Sequence, residues 1–390
     1  MMNESLSAII LISLGILFVP FLSKLLRIPV AVGEILYGIV IGKSTLHLVH
    51  PGQWLDFLSS FGFLLLMFVA GLEVKLKEIH ALPTRSKIIY LLLPLTIFIL
   101  SFGAGKSLHF PTIISIAIGV VSVGIVVSVL REKNLLSTKF GKTLFTAGIV
   151  GEVTSIFVLT FYSLYSEFHF GIEFWIGLMK LAVYLAVARL VLVFLKSFVW
   201  WFPNRFKFFF EKNPSEIGVR ISLAVMFMLS VAASIIHIEP IIGAFIAGMI
   251  FSTVFEDTES IEEKLSGISF GFLIPIFFIY VGLNFQMPHF SAETLKLLIT
   301  ITVLSMAIKV VSSFILTFEG LKLKETIAPG LLLSAPLTLV VVTAELGKEL
   351  KLISEETEGI LILFAILTGI VAPVLFNLLI KEKEIESSNS

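Results

Sequence analysis

Of 390 residues, 57% are hydrophobic and only 14% charged, with 28 Lys and Arg balancing 28 Asp and Glu. Soluble domains carry roughly a quarter charged residues, so a mean hydropathy of +1.03 excludes one and predicts an all-α polytopic membrane protein. With no cysteine, disulfides, thiolate metal sites and cysteine nucleophiles are excluded too.

Apolar runs of about 20 residues suffice to cross a ~30 Å hydrocarbon core. They predict thirteen spans near 5–24, 28–43, 54–73, 86–105, 111–130, 138–163, 173–201, 217–236, 239–255, 267–286, 293–318, 326–346 and 357–380. The acidic segment from Met1 to Ser5 is unlike a cleaved signal peptide. If the spans alternate in direction, nineteen basic residues fall on one face, against five on the other: Lys43, Lys106, Lys296, Lys348 and Lys351. The positive-inside rule then puts the N-terminus outside and the C-terminus in the cytoplasm of an inner cell membrane protein.

Charges inside spans are the first candidates for function. Glu34 in span two admits a structural or a functional role, whereas Glu73 and Glu345 sit near helix ends where solvation suffices. In span five, the run Ile118 to Val127 is β-branched and carries Gly124, a poor helix sequence. Glu152 lies near the centre of span six, with Gly148 at i−4 and Ser155 at i+3 on its face. In span seven, Lys180 and Lys196 lie toward the ends and can snorkel, while Arg189 is deeper and is expected to contact a neighbouring helix or carbonyl. The acidic group Glu256, Asp257, Glu259, Glu262 and Glu263 reads as a solvated loop. Lys309 lies deep in span eleven, where snorkelling to an interface is a long reach; if it met Glu152, each would keep the other charged. Span twelve carries Pro336 at its centre, and proline removes a backbone donor.

Three segment pairs repeat at nearly one offset. Val32–Ile39 resembles Ile242–Met249 at 210 residues, Phe68–Glu73 resembles Ile279–Asn284 at 211, and Ser122–Gly124 resembles Ser334–Pro336 at 212. Spans one to six thus repeat as eight to thirteen, and seven helices between equivalents, an odd number, invert one half. Inverted repeats with discontinuous helices at the midplane are transporter architecture. The interruptions at Gly124 and Pro336 are repeat-equivalent, which predicts two crossed broken helices. Their freed carbonyls, with the Ser122 and Thr338 hydroxyls, can coordinate a small cation. The seven histidines show no metal-ligand spacing, and no nucleophile elbow, phosphate loop or nucleic-acid patch is present. An enzyme, a cofactor and a nucleic-acid partner are therefore not expected.

Four segments, in order, resemble the second branch of the monovalent cation:proton antiporter superfamily, the bacterial sodium/proton and potassium/proton exchangers. They are Ile28–Gly38, Phe63–Glu73, Gly243–Gly248 and Pro275–Leu283, joined by Ser122–Gly124 and Lys309. The resemblance implies a homodimer, with a dimerisation domain at 1–83 and 217–291, an ion-translocating core at 84–170 and 292–380, a linker at 171–216 and a tail at 381–390. It implies that Glu152 binds a sodium or potassium ion or a proton, and that Lys309 matches a lysine pairing with a first acid beside it. That first position is Gly151 here, so the lysine's usual partner is missing, and Glu replaces the usual Asp. Because the sequence runs only ten residues past span thirteen, the nucleotide-binding domain of potassium-efflux relatives is not expected. The expected activity is alternating-access cation/proton antiport, leaning to one-for-one exchange. The rivals are a sodium-coupled organic-anion symporter on a related fold and a non-transporting membrane sensor.

Overall fold

The computed structural model describes residues 2–26, 28–74, 81–136, 138–201, 216–236, 239–254, 258–289 and 291–380, all helix or connecting turn with no strand among them. The first helices are α1 (Met2–Leu26), α2 (Val30–Ile41), α3 (Gln53–Glu73), α4 (Thr84–Ser107), α5 (Thr112–Gly119) and α6 (Gly124–Glu132). Next come α7 (Lys139–Phe168), α8 (Ile172–Trp201), α9 (Ile217–Ile235), α10 (Pro240–Val254), α11 (Thr258–Ile268) and α12 (Ile274–Asn284). The last are α13 (Ala292–Ser313), α14 (Leu323–Leu332), α15 (Leu337–Glu349) and α16 (Glu355–Leu379).

Among the described residues, ten stretches are long and apolar enough to cross a membrane, and an eleventh is α14 with α15, bent by 41° at their junction. The two remaining expected spans, α2 and α10, run only 12 and 15 residues, about 18 and 23 Å of helix. Every predicted span thus has a helix, but the second and ninth are shorter than a bilayer core. The acidic group near 256–263 needs a correction. Thr258–Ile268 is helical and runs through a π turn, Ser269–Leu273, into α12, because Glu, Lys and Leu are good helix formers and nothing breaks the run. Exposed Glu263 lies on that helix, and Glu256 and Asp257, like the tail 381–390, lie outside the described residues.

Packing divides the chain into two compact units, residues 1–20, 34–81 and 160–284 in one and 21–33, 82–159 and 285–390 in the other. In the first, glycines let helices touch backbone to backbone. A Cβ at Gly38 of α2 would strike the Ile279 carbonyl of α12 and stand 2.9 Å from Gly282 Cα. One at Gly71 of α3 would strike the Phe245 carbonyl of α10 and stand 3.1 Å from Gly248 Cα. Gly38 and Gly248 are repeat equivalents, as are Gly71 and Gly282, so the two contacts are one contact seen twice. The repeat is therefore built into the packing, with close approach that only small residues permit.

In the second unit the two breaks appear where propensity is weakest. Residues 120–123 are non-helical between α5 and α6, and 333–336 are non-helical between α14 and α15. Gly124 is the first residue of α6, and Pro336 caps α15.

Candidate ion-binding site

The site grows from a helix face that offers almost no side-chain volume. On α7, Gly148 and Gly151 are one turn apart, and the first break presses two valines against them. A Cβ at Gly151 would lie 2.8 Å from Val121 Cγ1, and one at Gly148 would lie 3.2 Å from Val123 Cγ2 and 3.8 Å from Leu333 Cδ2. Val123 belongs to the first break and Leu333 to the second, so both meet over Gly148. Beyond them, a Cβ at Gly369 of α16 would meet Ile125 of α6 at 3.6 Å and Leu337 of α15 at 3.9 Å. The starting turns of both second half-helices therefore converge on α16.

Between the two valines, the break turns polar atoms toward α7. Glu152 is buried, at 3% exposure. Its Oε1 accepts from Ser122 Oγ at 3.2 Å, and its Oε2 accepts from the Val123 backbone N–H at 3.3 Å. Val123 also accepts from Val127 N–H, so the carboxylate sits at the amino end of α6, where unpaired N–H groups and the helix dipole favour negative charge. Both bonds are longer than the 2.7–2.9 Å usual for charge-assisted ones, so they hold the carboxylate loosely. Ser155 acts one turn along. Its hydroxyl accepts from Val121 N–H at 2.9 Å and donates to the Gly151 carbonyl at 2.8 Å. Ser155 thus pins the break to α7.

The second break contributes differently. Ser334 Oγ donates to the Gly330 carbonyl at 2.7 Å, closing the end of α14 on itself. Thr338 is half-buried in the first turn of α15, and its hydroxyl makes no hydrogen bond among the described residues. On α13, Ser305 Oγ donates to the Ile118 carbonyl at 3.0 Å, tying that helix to the end of α5. Lys309, one turn on, is fully buried, and its Nζ has no hydrogen-bond partner among the described residues. Lys309 Nζ therefore does not bond Glu152, whose carboxylate is held by the break.

Two other intramembrane charges lie apart from this cluster. Glu34 is buried at 3% exposure with no hydrogen bond or ion pair among the described residues. Arg189 contradicts the expectation of a neighbouring helix or carbonyl: it is exposed on α8 and has no such partner among the described residues. The reason is that α8 is the least covered of the long helices, with 17% of its apolar window buried. Sequence reasoning missed Val121, Val123 and Ser305. The valines' side chains carry no signal beyond weak helix propensity, and the groups that matter on them are backbone amides.

A family model for the sodium/hydrogen exchanger, transmembrane, matches residues 10–382. The putative Na(+)/H(+) antiporter YjbQ of Bacillus subtilis is 30% identical over 95% of this chain, which spans only 63% of that protein's length. The probable Na(+)/H(+) antiporter 3 of Methanocaldococcus jannaschii is 30% identical over 95% of this chain and 96% of its own. The Na(+)/H(+)-K(+) antiporter GerN of Bacillus cereus is 25% identical over 90% of each chain. In fold, the chain is similar to the sodium proton antiporter MjNhaP1 of M. jannaschii, with a TM-score of 0.62 at 15% identity and 96% coverage of both.

Proposed function

Because the chain belongs to the sodium/hydrogen exchanger family, we propose that it is a monovalent cation/proton antiporter in which Glu152 binds sodium or potassium in competition with a proton. The observation that carries this is the buried Glu152 carboxylate, held at the amino end of α6 by Ser122 Oγ and Val123 N–H. The symporter and sensor readings find no support in the relatives above.

The hydrogen bonds explain why the two substrates exclude each other. Val123 N–H can only donate, so it holds Oε2 and leaves Oε1 as the edge that takes a proton or a cation. At that edge the Ser122 hydroxyl now donates. A proton on Oε1, or a cation beside it, requires this hydroxyl to turn and offer a lone pair instead. Either occupant neutralises a buried charge whose exposure to a low-dielectric interior is costly. Competition for one oxygen then suffices for exchange, and movement of the broken helices would carry the loaded site between the two sides.

The unit with both breaks serves as the ion-translocating core in this proposal, and the glycine-packed unit as the dimerisation domain of a homodimer. The N-terminus lies outside and the C-terminus in the cytoplasm, supported by the nineteen-to-five split of basic residues. Exchange is one-for-one, supported by the single carboxylate at Glu152 and by Gly151 beside it.

The test is proton movement in sealed vesicles driven by sodium or potassium gradients. Glu152→Gln should abolish exchange while the protein still folds and inserts; undiminished exchange in that variant would remove Glu152 from the mechanism. Imposing a membrane potential should leave the parent's rate unchanged.

A further inference from the structure

We infer that Arg189 and Lys196 on α8 form a binding site for the phosphate of one anionic phospholipid. Arg189 lies about 12 Å inside the Ser197 end of the apolar window Ile172–Ser197 and about 26 Å from its other end. An exposed guanidinium at that depth is costly in hydrocarbon unless it meets an anion or reaches the interface. At about 12 Å along the axis, the interface is further than one side chain snorkels.

Lys196 resolves this. It is exposed and seven residues on, so it shares the face of Arg189 about 10.5 Å further along the axis. It lies between Arg189 and the Ser197 end of the window. A phosphate at the level of residues 192–193 lies within reach of both long side chains, only about 7 Å inside the Ser197 end of the window. Around that level the helix presents Leu190, Val193 and Phe194 at 67%, 51% and 66% exposure, an apolar surface fit for acyl chains. Neither Arg189 nor Lys196 has a protein partner among the described residues. Two cations two turns apart on an apolar face match a diester anion with hydrocarbon tails better than a free ion, which would have to enter the membrane unaccompanied.

The test uses the full-length protein, purified and exchanged into neutral phosphatidylcholine nanodiscs with or without phosphatidylglycerol. Native mass spectrometry counts retained phosphatidylglycerol, and thermal unfolding reports stabilisation. Each basic residue near a membrane surface should contribute about fivefold in affinity, so Arg189→Gln and Lys196→Gln should each weaken retention about fivefold, and the double variant about thirtyfold. Arg189→Lys should retain more than Arg189→Gln. The proposal is overturned if the double variant holds phosphatidylglycerol like the parent, if phosphatidylcholine stabilises equally, or if inorganic phosphate reproduces the effect. It is also overturned if the double variant alters only the fraction of dimer, independent of lipid, because the anion would then be supplied by a second copy.

Discussion

The contact between Gly151 and Val121 makes the sharpest prediction. In Gly151→Ala, the new methyl carbon falls 2.8 Å from Val121 Cγ1, 3.0 Å from its Cβ and 3.4 Å from its Cγ2, whereas ordinary carbon contacts lie near 3.5–4.0 Å. Relief requires the break to withdraw by roughly 0.7–1.2 Å at the closest pair. That shift acts on the Val121 N–H bond to Ser155, now 2.9 Å, and on the Val123 N–H bond to Glu152, already 3.3 Å. Overpacking alone costs about 1–3 kcal/mol, and a buried N–H left unsatisfied adds about 1–3 kcal/mol. The expected loss is therefore about 2–6 kcal/mol of unfolding free energy in mixed micelles, together with lost exchange. Val121→Ala removes Cγ1 and Cγ2 but leaves the 3.0 Å Cβ contact, so it should rescue part of this loss. The double variant should be less impaired than the sum of the single ones by at least about 1 kcal/mol, within the usual range for residues in contact. Additivity to within about 0.5 kcal/mol would show that the glycine face is not what sets the position of the break.

Ser155→Ala should lose about 1–3 kcal/mol by orphaning Val121 N–H, and its cation affinity in exchange assays should fall because the break loosens; Ser155→Thr, which keeps the hydroxyl, should recover much of both. Lys309→Met retains length and apolar bulk while removing a fully buried amine with no hydrogen-bond partner among the described residues. Its unfolding free energy should exceed the parent's by at least about 1 kcal/mol, with exchange retained; a fall in stability would mean that Lys309 is paired in the membrane. Gly38→Ala and Gly248→Ala occupy repeat-equivalent contacts and should destabilise by similar amounts, about 1–3 kcal/mol each. Melting curves in one detergent compare them directly, and a loss at one position without the other would break the symmetry.

Properties that depend on one stretch of chain were legible in the sequence. Apolar length determined the spans, weak propensity at Val120–Val123 and the ring of Pro336 determined the breaks, and a fixed offset revealed the inverted repeat. Glu152 stood out because a carboxylate in an apolar run is conspicuous without knowledge of its neighbours. The ends of α2, α10 and α11 were less legible, since burial inside protein lets an apolar helix fall short of the bilayer, and good helix formers carry an exposed acidic segment on into the next span.

Tertiary structure alone decided which atoms meet, because rotation of a helix about its axis and the approach of its neighbours leave little trace in hydropathy. Ser155 shares the face of Glu152 in sequence, yet its hydroxyl goes to the backbone of the break. Lys309 and Glu152 would keep each other charged if they met, yet it is Val123 and Ser122 that bond the carboxylate. Arg189 was expected to face protein and faces outward. Gly151 read as a missing acid; in the folded chain that space belongs to Val121, whose methyls occupy it because the break must lie close enough for its amides to reach α7.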